Sequence, residues 1–446
     1  MKDRITELDL KEAPFLNKER IAEDVGNSLI LAPHPDDESL GCGGLIAMLR
    51  SSGKNVIVIY ITSGSASHLN SSLYPPQKLA KLREKEATNA CLELGVLQEN
   101  IHFLGFQDGQ LIKLDSVKII ETVDNIVCIT ANKSLKSIFF PWRRDPHPDH
   151  IVTNTIGKLV TKRYNNELIQ LEYPIWLWKN GKCDDWPFQS EINPVRLNIS
   201  DYYKIKKRAI EKHKSQLGKI INDDPNGFVL TDDLLKPFDG NYEYFFTENK
   251  RNQKALEKDY FDKIYHNSND PWNFKNSTYE IEKYKNSISA LNKTDFKKGL
   301  EIGCSIGVQT NLLAKICNSL IAVDISEKAI CEAKKICNEN TNIEFKVTNI
   351  LRDFPSGTFD LITLCEVGYY FEKDSLLELY QKIDSALVKY GRFLVVHWIG
   401  FVPDYPLSGN DVHNKLKKFM IEKENYKMLA NQRTEYYRLE VWVKTH

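Results

Sequence analysis

No Cys-x-x-Cys pair occurs among the nine cysteines of this 446-residue chain, and the odd total argues against a disulfide framework or a structural zinc cluster. The cysteines are expected as reduced thiols. No run approaches the ~20 apolar residues that span a bilayer, and the N-terminal Met1-Lys-Asp-Arg-Ile-Thr-Glu-Leu-Asp lacks an apolar leader. Membrane insertion is not expected and a cytoplasmic location is. The 60 basic and 60 acidic residues leave no net charge, so there is no bulk attraction to nucleic acid or anionic membrane. There is no internal repeat and no low-complexity tract. What is there is length and apolar content: 446 residues exceed one ordinary core, and 42% hydrophobic residues suffice for two.

Two clusters of metal-binding side chains lie in the first half. Leu31-Ala-Pro-His-Pro-Asp-Asp-Glu38 follows an apolar run, and His147-Pro-Asp-His150 answers it much later. Each alone is ordinary turn chemistry. Together, each flanked by strand-like segments, they point to a zinc hydrolase, whose metal keeps three protein ligands and one open position. His34 and Asp37 on one loop supply two ligands and His150 the third. Asp36, a carboxylate that is not a ligand, suits the base that takes a proton from metal-bound water, whose pKa zinc lowers to about 7. His147 suits the partner of the oxyanion and leaving group, with Asp149 holding its ring.

This motif pair resembles the PIG-L/LmbE-like zinc-dependent de-N-acetylases, which act on glucosamine-containing substrates. The resemblance runs from about Ser28 to about Phe246 and includes Tyr60–Gly64, Leu82–Ala87, Phe103–Gly109 and Pro141–Asp145. It implies zinc, or another divalent ion, on His34, Asp37 and His150, with Asp36 as base and His147 and Asp149 as acid and orienting partner. It also implies a substrate contact at Arg83, for which a solvated position on a helix is the alternative. Pro33 departs from the pattern and requires the strand to end there.

The second half carries a strand, a glycine turn, a helix and a second strand ending in an acid: Leu300-Glu-Ile-Gly-Cys-Ser-Ile-Gly307, then Leu320-Ile-Ala-Val-Asp324. Glycines let the backbone approach a nucleotide, and the acid accepts hydrogen bonds from ribose hydroxyls. Asn342–Val347, Phe359–Cys365 and Gly391–His397 read as further strands. The Glu-x-Gly-x-Ser-x-Gly form resembles motif I of class I S-adenosylmethionine methyltransferases. Tyr265–Trp272, Tyr279–Tyr284, Cys365–Tyr370 and His397-Trp398 resemble the NodS-like N-methyltransferases, which methylate the free amine of a deacetylated glucosamine oligosaccharide. That resemblance covers about Phe261 to the C-terminus. It implies that Glu301, Gly303, Gly307 and Asp324 bind the cofactor, that Asn349 and Ile350 lie near the adenine, and that Tyr265 and Trp272 cap it. Glu366 and His397 follow the fourth and fifth strands, at the edge where such sheets bind ligands, and are the candidates for handling the acceptor amine.

The expected fold is α/β throughout: two Rossmann-like three-layer domains with mostly parallel sheets. Residues 1–246 form the first, 247–260 a polar linker stiffened by a helix reaching Asp262, and 261–446 the second. Asp201–Gln216 reads as an amphipathic helix whose charges are a solvated face. The expected activity is bifunctional, removing an N-acetyl group from an amino sugar or glycoconjugate and methylating the exposed nitrogen. Methylation at oxygen or carbon is one alternative. A non-catalytic first domain that only holds glycan is another. The expected partner is a small-molecule or oligosaccharide amino sugar.

Overall fold

Val56–Thr62 is buried at every position, as a parallel strand covered by helices on both faces must be. Ser28–Ala32 and Ser137–Pro141 share this pattern, which is why they read as continuous apolar runs rather than alternations. The computed structural model describes residues 4–188, 190–248, 254–400 and 405–446. The chain divides into two units, Met1–Asn249 and Lys250–His446.

The first unit holds eight strands: β1 (Phe15–Leu16), β2 (Ser28–Ala32), β3 (Val56–Thr62), β4 (Ile101–Phe106), β5 (Ser137–Pro141), β6 (Ile169–Tyr173), β7 (Ile192–Asn198) and β8 (Tyr242–Glu248). Their order is β1-β7-β8-β6-β5-β2-β3-β4. All pairs are parallel except those made by β8 with β6 and β7. The chain runs β2 to β3 to β4 in one direction across the sheet, then returns to β5 beside β2 and continues in the other. A crevice therefore opens at the carboxyl ends of β2 and β5, where the winding reverses. Leu29, Leu31, Ile138 and Phe140 face the helix Pro148–Arg163 through Val152, Ile156 and Val160.

The second unit holds β9 (Phe296–Ile302), β10 (Cys317–Asp324), β11 (Ile343–Val347), β12 (Phe359–Cys365), β13 (Leu387–Trp398), β14 (Tyr426–Arg433) and β15 (Tyr437–Lys444). The order β11-β10-β9-β12-β13-β15-β14 is parallel up to β13, and β15 runs antiparallel to both neighbours. Here the winding reverses between β9 and β12. Leu300 and Ile302 pack on one face while Leu361, Leu394 and Leu439 pack on the other, which makes the unit three-layered. β14 alternates half-buried and exposed positions, as an edge strand covered on one face does.

The expected α/β class holds in both units, and β12 has the bounds read from the sequence. Three local expectations change. Thr247 and Glu248 complete β8, residues 249–253 of the expected linker lie outside the described residues, and the following helix begins only at Lys258. The helix expected over Asp201–Gln216 spans Tyr203–Ile210. Its charges are not all solvated: Lys206 is buried against Glu243 at 2.8 Å, and His213 beyond it against Glu38 at 3.3 Å. A period-3.6 pattern does not distinguish a lysine that snorkels outward from one that finds a buried carboxylate. Among the described residues no helix is long and apolar enough to cross a membrane.

Close helix-to-sheet packing rests on Gly157, where a Cβ would lie 2.4 Å from the Phe140 ring. Gly157→Ala should destabilise the first unit by about 1–3 kcal/mol, since the overpacking outweighs the ~1 kcal/mol gained in helix propensity. Calorimetric scans should show the first unit's transition lowered and the second's unmoved.

Candidate functional site

β2 ends at Ala32, and the Pro33 carbonyl accepts hydrogen bonds from the Thr62 N–H (2.9 Å) and hydroxyl (2.8 Å). The proline thus sits beyond the last ladder position, where its missing N–H costs nothing. The next turn carries His34 and Asp36 and leads into the helix Asp37–Ser51, whose first turn holds Asp37 and Glu38, matching the positive end of the helix dipole. On the neighbouring strand β5 the equivalent loop ends at His147, the N-cap of Pro148–Arg163, with proline at the first helical position. The crevice at the reversal of winding brings the two motifs together.

Three atoms define its centre. His34 Nδ1 lies 3.2 Å from Asp37 Oδ2, His150 Nε2 lies 3.3 Å from the same oxygen, and the two nitrogens are 3.3 Å apart. Ligands at the usual zinc distances, set at tetrahedral angles, are separated by about 3.3–3.5 Å. The donor set and its spacing therefore fit a tetrahedral divalent ion with one position left over. His147 completes a histidine group whose ligand atoms all lie within 4.8 Å of one another. The triangle with Asp37 is the tighter of the two, with separations of 3.2, 3.3 and 3.3 Å, while the His147 Nδ1 accepts the Asp149 N–H at 3.2 Å.

Each histidine of the triangle is backed by a carboxylate. Asp149 Oδ2 accepts from His34 Nε2 at 3.1 Å and is itself held by the N–H of Gly109 (2.6 Å), while the Leu111 N–H reaches its other oxygen at 3.3 Å. This corrects the expectation that Asp149 orients His147: its carboxylate belongs to His34 and only its backbone reaches His147. Asp145 stands 3.3 Å from His150 Nδ1 and accepts the N–H groups of Ile175 (2.7 Å) and Trp176 (3.0 Å). Such partners fix ring orientation and raise ligand basicity.

The electrostatics follow. Burial works against charge on His34, yet its bonds to Asp149 and Asp37 carry its pKa up to about 10. Burial likewise opposes the charge on His150, but Asp37 and Asp145 raise it to about 9. Burial alone would raise the Asp37 carboxyl; His150 and His34 pull it well below the ordinary range. His147, buried and facing those two imidazoles, is pushed down to about 3. With Nδ1 accepting a backbone N–H it is a neutral ring carrying its proton on Nε2, a hydrogen-bond donor rather than the expected acid.

Asp36 is pushed up to about 6 by burial, against the opposing charge of Arg83. The Arg83 guanidinium bonds Asp36 Oδ2 at 3.0 Å, the Pro35 carbonyl at 2.9 Å and the Gly64 carbonyl at 3.1 Å. At 3% exposure it is not the solvated helix residue of the alternative reading. Sequence reasoning missed Asp145, although it ends the Pro141–Asp145 motif, and Asp108, which holds the Gly64 and Ala66 N–H groups at 2.7 and 2.9 Å. It also missed the buried Glu38–His213 pair, for which no local signal exists.

In the second unit β9 runs into a turn with Gly303 at φ +78°, Ser305 at +49° and Gly307 at +86°. A Cβ on Gly303 would lie 2.0 Å from Val367, and one on Gly307 2.9 Å from the Ala333 backbone, so both glycines are also required by packing. Asp324 ends β10, with its carboxylate accepting the N–H groups of Ser305 and Ser326 at 2.9 Å each. Asp324 is only partly buried at the carboxyl end of the strand. Tyr265 bonds the Ser305 hydroxyl at 2.6 Å and meets Trp272 edge-on at 5.6 Å, so both cap the turn. Asn349 uses its side-chain oxygen on the Leu351 N–H at 3.0 Å, and Ile350 is buried beside it.

Two expected residues are buried. Glu301 is the penultimate residue of β9, and burial pushes its carboxyl up to about 7. His397 is wholly buried, its Nε2 accepts the Gly368 N–H at 2.9 Å, and burial drops its pKa well below the usual value. It is a structural acceptor. Glu366 does stand at the carboxyl end of β12, at φ +58°.

Residues 29–161 match the GlcNAc-PI de-N-acetylase (PIG-L) family. A probable N-acetyl-alpha-D-glucosaminyl L-malate deacetylase 2 of Bacillus subtilis is 32% identical over 194 residues, 42% of this chain and 82% of that protein. The chain belongs to the PIG-L family through its first unit. Residues 250–394 match the Nodulation protein S (NodS) family, so a NodS methyltransferase domain follows the PIG-L domain. Nodulation protein S of Sinorhizobium fredii is 30% identical over 104 residues, 23% of this chain and about half (48%) of its own length. Among solved structures, N-methyltransferase NodS of Bradyrhizobium japonicum with S-adenosyl-l-homocysteine is 21% identical, covering 40% of this chain and 94% of that one, TM-score 0.35.

Because the metal-free PIG-L site holds protons on both histidines, loading a divalent ion near pH 7.5 should release about two protons per ion. Titration calorimetry in buffers of different ionisation heat measures this. The release should fall away above about pH 10, where His34 is already unprotonated, and zero release near neutrality shows that the two rings carry no extra proton in the free site.

Proposed function

We propose that the PIG-L unit hydrolyses the N-acetyl group of an N-acetylglucosamine-type sugar or glycoconjugate, and that the NodS unit transfers a methyl group from S-adenosylmethionine to the amine so exposed. The observation that carries the first half is the triangle of His34 Nδ1, Asp37 Oδ2 and His150 Nε2 at 3.2–3.3 Å, with the Asp36–Arg83 pair beside it. The Bacillus subtilis relative, named for an N-acetylglucosaminyl substrate, supports the substrate class.

His34, Asp37 and His150 would hold zinc, which when bound supplies an activated water and polarises the amide carbonyl. Asp36, a carboxylate near neutral pH, takes a proton from that water and passes it to the departing nitrogen. Arg83 keeps Asp36 in place. His147 donates Nε2–H to the developing oxyanion. The carbonyl carbon gains the water oxygen and loses its bond to nitrogen, leaving acetate and a free amine. An amide nitrogen has its lone pair delocalised into the carbonyl, so only the hydrolysed product is a nucleophile for methyl transfer. In the NodS unit Gly303, Gly307 and Asp324 would seat the methyl donor, Asp324 on its ribose hydroxyls.

Mass spectrometry of N-acetylglucosamine conjugates should show loss of acetyl without S-adenosylmethionine and a subsequent gain of methyl with it. Asp36→Asn should keep the metal and lose deacetylation by about 10²–10⁴-fold; near-normal turnover with metal bound rules out its role as base. His150→Ala should lose the metal as well.

Asp324→Ala should weaken S-adenosylmethionine binding by roughly 1.5–3 kcal/mol, because two hydroxyls lose a charged acceptor. Unchanged affinity in calorimetry excludes the ribose contact.

A further inference from the structure

Glu366 leaves β12 in the left-handed region at φ +58°, a conformation that a glutamate holds only when its surroundings impose it. Three donors impose it here. Lys283 Nζ reaches Glu366 Oε1 at 2.6 Å, and the Tyr369 hydroxyl and Trp398 N–H reach Oε2 at 2.6 and 3.0 Å. Lys283 is almost wholly buried and comes from the helix Thr278–Ala290, where it also bonds Glu280 at 2.9 Å. The next residue, Val367, is the side chain that a Cβ on Gly303 would strike at 2.0 Å. Glu366 is therefore pinned directly beside the glycine turn.

The charge in this corner is unbalanced. Burial raises the Glu280 carboxyl and the Lys283 ammonium opposes that; with both carboxylates ionised, Glu280 and Glu366 outnumber the one ammonium by one negative charge. The other charges nearby cancel or are absent: Arg438 pairs with Glu440 at 2.8 Å, and burial holds His397 and His413 neutral. The Tyr279 hydroxyl is buried in the field of Glu366 and Glu280 and has no hydrogen-bond partner among the described residues. Its ring meets Trp398 edge-on at 6.0 Å, and Trp398 stacks on Tyr436 at 5.9 Å. The Lys283 ammonium lies over the Tyr279 and Tyr284 rings at 5.2 and 5.8 Å from their centres, and the surplus carboxylate favours a second cation.

We propose that Lys283 is a positioning residue that clamps Glu366 beside the methyl-donor turn, and that the Glu280–Lys283–Glu366 array selects an acceptor arriving as an ammonium group over a hydroxyl or an amide. This rests on the methyltransferase reading above and names its acceptor by charge. Lys283 acts through Glu366. Glu280 sets the charge, and Glu366 takes one proton from the bound ammonium, freeing the lone pair that attacks the sulfonium methyl as the sulfur leaves in S-adenosylhomocysteine.

The test uses the full-length chain carrying Asp36→Asn, so that acetylated substrate stays acetylated. Its acceptors are a glucosamine disaccharide, the N-acetylated form and the corresponding glucose disaccharide. The parent should methylate only the amine. Glu280→Gln, which removes the net charge, should raise KM for the amine by about tenfold or more. Adding Lys283→Met restores one net negative charge without the clamp, so KM should return towards the parent while kcat falls about tenfold to a hundredfold. Lys283→Arg should recover most of the kcat. Calorimetric affinity for S-adenosylmethionine should stay constant across the series, which also reports folding of any variant. A double variant with parental kcat, or a kcat loss matched by a loss of S-adenosylmethionine affinity, overturns the positioning role. A parent that binds S-adenosylmethionine yet methylates glucose and not the amine instead overturns the reaction itself.

Discussion

Two imidazole nitrogens and a carboxylate oxygen meet at 3.2–3.3 Å in a buried crevice, and such an arrangement persists only if positive charge lies among them. Without an ion, protons supply it, which is why His34 and His150 hold protons far above the ordinary histidine range while Asp37 stays ionised. The surrounding residues are arranged for the same end. Asp149 and Asp145 stand behind one imidazole each, and backbone N–H groups hold those carboxylates in turn. Arg83 balances Asp36, so the carboxylate next to the triangle stays outside it.

The NodS unit uses the same reversal of winding for a different chemistry. Between β9 and β12 the edge presents a glycine turn on one side and Glu366 on the other, and the contact of Val367 with Gly303 locks the two together. The carboxylates at this edge, Asp324 and Glu366, are held by N–H donors, by a hydroxyl and by one buried lysine. One unit is built to gather positive charge at a point where ligand atoms converge. The other sets two carboxylates around one buried lysine beside a turn. The proposed reactions differ in the same sense, the first creating a basic nitrogen and the second recognising it.

The proposed order of chemistry also explains the pairing of the two families in one chain. Hydrolysis of an amide leaves a basic nitrogen that takes up a proton around neutral pH, and a site that receives it as a cation rejects the neutral acetylated precursor by charge. Specificity then rests on an electrostatic difference of a full unit charge rather than on fitting around one acetyl group, and such differences discriminate more strongly than a missing or added methylene.

The primary sequence by itself determined the class of both sheets, the motif pairs and the candidate ligands of the first pair. His34, Asp36, Asp37 and His150 lie within short local patterns at strand ends, and Gly303, Gly307 and Asp324 follow a strand-turn-helix-strand spacing that local physics produces. Tertiary structure alone decided which groups stand behind them. Asp149 turns to His34 although its neighbour in sequence is a different histidine, because Gly109 and Leu111, forty residues away, supply the N–H groups that set its carboxylate. Lys206 reads as part of a solvated face until the fold buries it against Glu243, and only packing sets Arg83 against Asp36, Asp145 against His150 and Lys283 against Glu366. His397 reads as chemistry until the backbone of Gly368 claims its lone pair. Short-range patterns fix which atoms can bind, but burial and charge pairing come from segments far apart in the chain, and only packing brings those together.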